Sequence, residues 1–301
     1  MTIRPGRTVS GPPGRTTLPR AQASGYPKGM LALYVAATVT VISWAQDPAA
    51  SRFEIVEALV KAGADPNGRA MRRWEDELSD TPLTAVMRQR IDQCPAMVGF
   101  LIDKGSSLGV EVDFGMARAT PLHIAIQSSS PAVLTSFLLA RGADPNARGV
   151  FGRTPLIAAA ASQYYGATQL AVVEALLNAG ADIDACDETG RTALMWAAMA
   201  NLPVAVSLLV RGADTDHADK DGETALMYAV REWNPGVVIA LLDRRVDQEK
   251  RNAAGRTALD IARESNIPAE IQWLLENRGP RSALRERVDA AVGAALVPLV
   301  E

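Results

Sequence analysis

"DETGRTALMWAA" occupies residues 187–198, "DKDGETALMYAV" residues 219–230 and "NAAGRTALDIAR" residues 252–263. A catalytic motif is needed once in a chain. A phrase that returns at a regular interval marks a structural unit being stacked. Aligned on its threonine, the phrase falls at Thr81, Thr120, Thr154, Thr192, Thr224 and Thr257, in steps of 32 to 39 residues. "KGMLALYVAA" at 28–37 is a weaker copy, with Leu31 where the threonine should stand. Each copy leads to a second phrase, such as "EALVKAGADPN" at 57–67, "SFLLARGADPN" at 136–146 and "EALLNAGADID" at 174–184. Insertions between the two phrases, or in the turns, account for the drift in period.

One unit can be read locally. Thr154 is placed to cap a helix, because its hydroxyl can take an orphan backbone N–H of the first turn. Pro155 follows at the first helical position, where its missing N–H costs nothing. Leu156 and Ala159 give a short helix an apolar stripe. Val172, Val173, Leu176 and Leu177 do the same for a second helix. Gly180 stands where that helix must stop, a position that usually needs positive φ. Asp182 and Asp184 belong to the turn beyond. The spacing therefore predicts turn, short helix, reversal, longer helix and glycine stop. Neither helix is long enough to be stable alone; stacked neighbours bury their stripes.

"ATPLHIA" at 119–125, "RTPLIAAA" at 153–160 and "DTPLTAV" at 80–86 carry a resemblance. The chain resembles the ankyrin-repeat family, whose hallmark is T-P-L-H-x-A in a period of about 33 residues. The resemblance implies an all-α solenoid of about seven helix-turn-helix units over residues 29–278. Hairpin-like fingers would project from one edge, and partners usually bind the finger tips and the concave inner helices. It also makes His123 a structural hydrogen-bonding residue. The departures are Leu31 in the first unit, Met195, Met227 and Asp260 in place of the motif's histidine, and Arg245 where the preceding unit has Gly212. A non-glycine residue in a left-handed turn costs about 1 kcal/mol, so the turn at Arg245 is either strained or built differently.

The flanks differ in character. Residues 1–28 carry Arg4, Arg7, Arg15, Arg20 and Lys28 and no acid among many Pro, Gly, Ser and Thr, the composition of a disordered basic arm. Residues 30–45, "MLALYVAATVTVISWA", contain no charge and admit two readings. They are the first helix of the first repeat, since Gly29 to Ala37 aligns with "GRTALMWAA". Alternatively they are an export-signal core ending at Ser43-Trp44-Ala45. Residues 279–301 include Leu284, Val288, Ala291, Val292 and Ala295 at helical spacing, as expected of a C-terminal capping helix.

Composition bounds the function. The formal net charge is −3, which gives no case for nucleic acid as the main partner. Arg outnumbers Lys several-fold, an association with GC-rich bacterial genomes. Cys94 and Cys186 are expected to be free thiols, too far apart across stacked helices for a disulfide. The histidines are His123 and His217, and no Cys/His cluster has metal spacing. "DTDHADKDG" at 214–222 looks like a calcium loop but lacks the glutamate that loop requires at its twelfth position. No nucleophile elbow, phosphate loop or dinucleotide fingerprint is present. The expectation is a non-enzymatic module with no cofactor, metal or small-molecule substrate. Its partner would be another protein. A membrane enters only if residues 30–45 act as signal or anchor. The location is cytoplasmic, or periplasmic or secreted on the export reading. In function this is a bacterial adaptor or immunity-type inhibitor, with an exported interaction factor as the alternative.

The fingers give candidate binding residues. The first, 66–80, carries Arg72, Arg73 and Trp74. The second carries Phe114 and Met116, and the third Val150, Phe151 and Arg153. Tyr164 and Tyr165 sit in a bulge between the helices of the fourth unit. Trp and Arg are enriched in interface hot spots, and apolar residues clustered on one exposed edge point to binding. The alternative is that Trp74 and Phe114 fold back as small loop cores. Trp196 and Tyr228 occupy the x of T-P-L-H-x-A and are expected to pack in the stack.

Overall fold

The computed structural model describes residues 56–68, 80–88, 94–113, 118–162, 167–200, 202–265 and 267–277. The expectations for residues 1–45 and 279–301 lie outside them, as do Arg72, Arg73, Trp74, Phe114, Met116, Tyr164, Tyr165 and the side chain of Cys94.

Residues 56–61 are helical and are called α1. Six helix pairs follow: α2 Pro82–Met87 with α3 Cys94–Asp103, α4 Pro121–Ile126 with α5 Pro131–Ala140, α6 Pro155–Ala160 with α7 Ala167–Asn178, α8 Ala193–Ala200 with α9 Leu202–Val210, α10 Ala225–Arg231 with α11 Pro235–Asp243, and α12 Ala258–Glu264 with α13 Ala269–Asn277. Each first helix packs on its own second helix and on the first helix of the next pair; second helices form a parallel row behind. This is the two-layer stack that the repeated phrase predicts.

The threonines start the first helices as expected, with one informative exception. Thr81, Thr154, Thr224 and Thr257 each accept the backbone N–H three residues on. Thr120 makes no such cap; its hydroxyl bonds His123 Nδ1 at 2.9 Å instead. Every residue of α2 and α4 is buried, because these helices are covered on the next unit's side as well as by their partner. The second helices bury one face: in α5, Leu134, Thr135 and Leu138 are buried while Val133 is 58% exposed. The buried Gln169 at the start of α7 donates to the Ala159 carbonyl at 2.6 Å, so it satisfies an orphan carbonyl at the end of α6.

The turns after the second helices form a second repeating lattice. Gly63, Gly105, Gly142, Gly180 and Gly212 have φ near +90°. Arg245 takes the same role at φ 59°, so the chain keeps the left-handed turn there in spite of its side chain. Asp65, Asp144, Asp182, Asp214 and Asp247 each accept the N–H two residues on. Asn67, Asn146, Asp184 and Asp216 reach forward and accept N–H groups of Ser107, Asp182, Asp214 and Asp247 in the following turn, at 2.7–2.8 Å. Gly109 occupies that position in the second unit and supplies no rung. Asp214, Asp216 and Asp219 of "DTDHADKDG" are thus engaged with backbone donors, and no group of three or more potential metal ligands occurs among the described residues.

Candidate partner-binding edge

The fingers lie between one second helix and the next first helix. The second finger has a described base, in which strands β1 Val112–Asp113 and β2 Arg118–Ala119 pair antiparallel. Single bridges, Cys186 with Thr192 and Ala218 with Thr224, close the fourth and fifth. Cys186 is free and half-buried. Neighbouring fingers are bonded tip to tip: Glu188 N–H to the Phe151 carbonyl, Lys220 N–H to the Thr189 carbonyl, and Ala253 N–H to the Asp221 carbonyl, at 2.8–3.0 Å. This contact is tight: a Cβ on Gly190, which has φ +85°, would come within 3.0 Å of the Lys220 nitrogen.

Fingers four to six share one internal device. Asp187 Oδ1 accepts from Thr189 N, Thr189 Oγ1 and Arg191 N. Asp219 accepts the N–H groups of Asp221 and Glu223, and Asn252 those of Ala254 and Arg256. Burial alone would raise the Asp187 carboxyl pKa, but the bonds from Thr189, Arg191 and Trp196 outweigh it and hold the group below its ordinary range.

The third finger is built otherwise. Gly149 replaces the acid because the His123 ring lies against it; a Cβ there would sit 2.8 Å from Nε2. His123 Nε2 bonds the Arg153 carbonyl at 3.1 Å. A carbonyl only accepts, so Nε2 carries the proton and Nδ1 receives the Thr120 hydroxyl. Burial lowers the His123 pKa, with the bond to Arg153 opposing, and keeps the ring neutral. Without an acid to order it, this finger closes through Arg153 N–H to the Val150 carbonyl at 3.0 Å, with Phe151 (φ 54°, ψ 30°) and Gly152 (φ 68°) between. That is a primed two-residue turn, which demands positive φ at both central positions and normally takes Asn-Gly. Phenylalanine there is strained by roughly 1 kcal/mol or more. The residue is 63% exposed, so burial does not offset the strain.

Beneath the tips runs a row in which guanidinium groups alternate with rings. Arg153 Cζ lies 5.9 Å from the Phe151 ring centroid and 4.2 Å from that of Trp196. Arg191 Cζ lies 5.4 Å from Trp196 and 5.0 Å from Tyr228, and Arg231 Cζ lies 5.9 Å from Tyr228. The acids of the fingers hold the rings: Trp196 Nε1 donates to Asp187 Oδ2 at 3.1 Å and the Tyr228 hydroxyl to Asp219 Oδ2 at 2.6 Å. Tyr228 is buried, as expected of its position, whereas Trp196 packs against the core and keeps part of its surface open. Sequence reading missed this row, since the pairings that link it, Arg153 with Trp196 and Arg191 with Tyr228, join one unit to the next. The only signal was that an arginine before the threonine accompanies an aromatic in the following helix.

Of the candidate residues among the described ones, Phe151 is exposed and Val150 and Arg153 are half-buried beside it. A cavity of about 150 Å³ at the last unit, lined by Gln248, Glu249, Thr257, Leu259, Leu275 and Glu276, falls short of the roughly 300 Å³ at which ligand pockets begin. No described helix is long and apolar enough to cross a membrane.

Known proteins with this arrangement agree. A family model for ankyrin repeats, in three copies, matches residues 134–219 and 200–283. Neurogenic locus notch homolog protein 1 of Xenopus laevis is 42% identical over 96 residues, 32% of this chain. The mouse (Mus musculus) protein of that name is 38% identical over the same length. Neurogenic locus notch homolog protein 2 of Homo sapiens is 31% identical over 156 residues, 52% of this chain. The matched stretches span only 4% to 6% of those proteins' own length, so the likeness concerns the scaffold. Within residues 134–283 threonine caps, left-handed glycine stops, stacked helix pairs and bonded fingers coincide with the matched family model, and the chain belongs to the ankyrin-repeat family.

Proposed function

We propose that the chain is a non-enzymatic adaptor or immunity-type inhibitor that occludes another protein through its finger edge. Ankyrin repeats generally mediate protein–protein interaction, and the observation that carries the finer reading is Phe151. A strained turn displays an exposed aromatic ring at a finger tip, and such strain is retained where it serves a function rather than stability. Trp74 and Phe114, on the two preceding fingers, would extend the apolar stripe, with Met116 and Val150 beside it. Arg72, Arg73 and Arg153 would lie along its rim, and Tyr164 and Tyr165 would add a second patch. An apolar centre with a polar rim is the usual anatomy of an interface. The arginine-rich composition supports a bacterial setting, and the repeat reading of residues 30–45 a cytoplasmic one; export is the alternative, carried by residues 1–45. The repeats would span 29–278, between a basic arm at 1–28 and a capping helix at 279–301.

The test is a paired measurement on the full chain and a partner recovered by pull-down. Changing Trp74 and Phe151 together to Ala should leave the melting temperature nearly unchanged and weaken binding by about 2 kcal/mol or more. Lost stability with retained affinity would make the aromatics loop cores and move the binding face to the first helices.

A further inference from the structure

We infer that Arg153 and Arg191 form a pair of pre-aligned guanidinium forks that grips two carboxylates on an extended, acidic segment of the protein partner. The inference rests on the reading of the chain as a protein-binding module and adds the chemistry that the partner must present.

Four observations lead to it. First, both guanidinium groups lie over the Trp196 ring, with Cζ 4.2 Å and 5.4 Å from its centroid, which restricts their movement. An arginine held this way has already lost much of the rotamer freedom that binding would otherwise cost. Second, each meets its acid only through Nε: Arg153 with Asp187 Oδ2 at 3.7 Å and Arg191 with Asp219 Oδ2 at 3.4 Å. Besides its acid, Arg191 interacts with the Tyr228 hydroxyl; most of the five donors that each guanidinium carries in a fixed fork suited to carboxylates are left over. Third, both side chains keep 27–30% of their surface open to solvent. Fourth, the neighbouring positions are occupied differently. Glu223 stands in the fifth finger where Arg191 stands in the fourth, and it takes up Arg231 Nη2 at 2.7 Å and Asn252 Nδ2 at 2.9 Å. Arg256 in the sixth pairs with Glu264 at 2.9 Å. The two open forks are therefore adjacent, and a closed pair bounds them on the C-terminal side.

Spacing selects the ligand. Both Cζ atoms lie on one ring, so they are less than about 10 Å apart, comparable to the spacing of packed helices. An extended strand puts residues i and i+2 on one face about 7 Å apart, and a polyproline II segment puts i and i+3 about 9 Å apart. A segment with acids two or three residues apart falls within that limit. Phe151 stands at the Arg153 end of the row, so an apolar residue next to the acidic pair would meet it. The exposed acids Glu188 and Asp221 sit on the neighbouring finger tips and disfavour a uniformly dense run of negative charge. That argues for a spaced pair of carboxylates over a polyanion.

The test uses the isotope-labelled full chain and synthetic octapeptides carrying Glu at i and i+3, or at i and i+2, beside one Leu. The same peptides with Gln for Glu serve as controls. The Nε–H resonances of Arg153 and Arg191 and the indole N–H of Trp196 should shift with at least one Glu peptide, and it should bind at least tenfold more tightly than its Gln counterpart. Arg191→Lys keeps the charge but loses the planar fork. It should reduce that affinity about tenfold while the melting temperature confirms a folded chain; Arg153→Lys provides a second variant. Equal binding of Glu and Gln peptides, unchanged affinity in both folded lysine variants, or equal competition by inorganic polyphosphate would each overturn the inference. Peptide binding that survives while Phe151→Ala leaves partner affinity untouched would uphold the forks and reject the aromatic stripe. Loss of peptide binding alone would do the reverse.

Discussion

His123 joins three parts of the chain, the Thr120 hydroxyl, the third finger's carbonyl at Arg153 and the space left by Gly149. Its neutral form is the one that fits, because burial depresses its pKa below 6.5. The unfolded chain takes up a proton near its ordinary value, and the folded chain resists. Stability is therefore complete above about pH 6.5 and is lost as the pH falls below it, until the folded pKa is reached. The melting temperature should decline from pH 7.5 to 5, and His123→Gln should show a shallower decline. Parallel profiles for the two proteins would remove His123 from the account. Arg245 poses a different question at the same scale. It holds φ 59° with an exposed side chain, so glycine relieves the left-handed strain but gives the unfolded chain more freedom. Arg245→Gly should stabilise by a fraction up to about 1 kcal/mol, measured by urea denaturation. A less stable glycine variant would show that Arg245 side-chain contacts outweigh the strain.

The helices show what a sequence discloses and what it withholds. The Thr-Pro starts and glycine stops were legible because each acts within four residues of itself. α2 and α4 show little amphipathic pattern, since they are buried all round by neighbours that no short window contains. The alternation of Arg153, Trp196, Arg191 and Tyr228 was not legible for the same reason: Arg153 with Trp196, and Arg191 with Tyr228, lie in successive units and meet only once the helices stack. Phe151 was legible as an exposed aromatic but not as a left-handed one, because local rules assign that conformation to glycine or asparagine. At this scale α6 offers the sharpest check. Ala159 is 1% exposed between flanking first helices, and its carbonyl is already taken by Gln169. Ala159→Asp buries a charge with no partner and should abolish cooperative melting. A melting temperature within a degree or two of the parent would place this helix face elsewhere.

For the whole molecule, strong packing links each unit to itself and to its immediate neighbours. Stability is then approximately a sum over units and the junctions between them. The turn lattice carries the same logic in hydrogen bonds. Asn146 binds forward to the next turn, Asp184 to the one after, and Asp216 to the next again. Such an arrangement is translationally periodic. A segment excised between equivalent rungs leaves ends that meet as the originals did, and a duplicated segment is accepted as readily. Nothing in the scaffold therefore fixes how many units the chain should have. An extent comes from departures from the period, of which Glu223, in the line of finger arginines, bears on the inferred forks. The frame can lengthen unit by unit, but the inferred pair of open forks stops at Glu223, which is already taken up by Arg231 and Asn252.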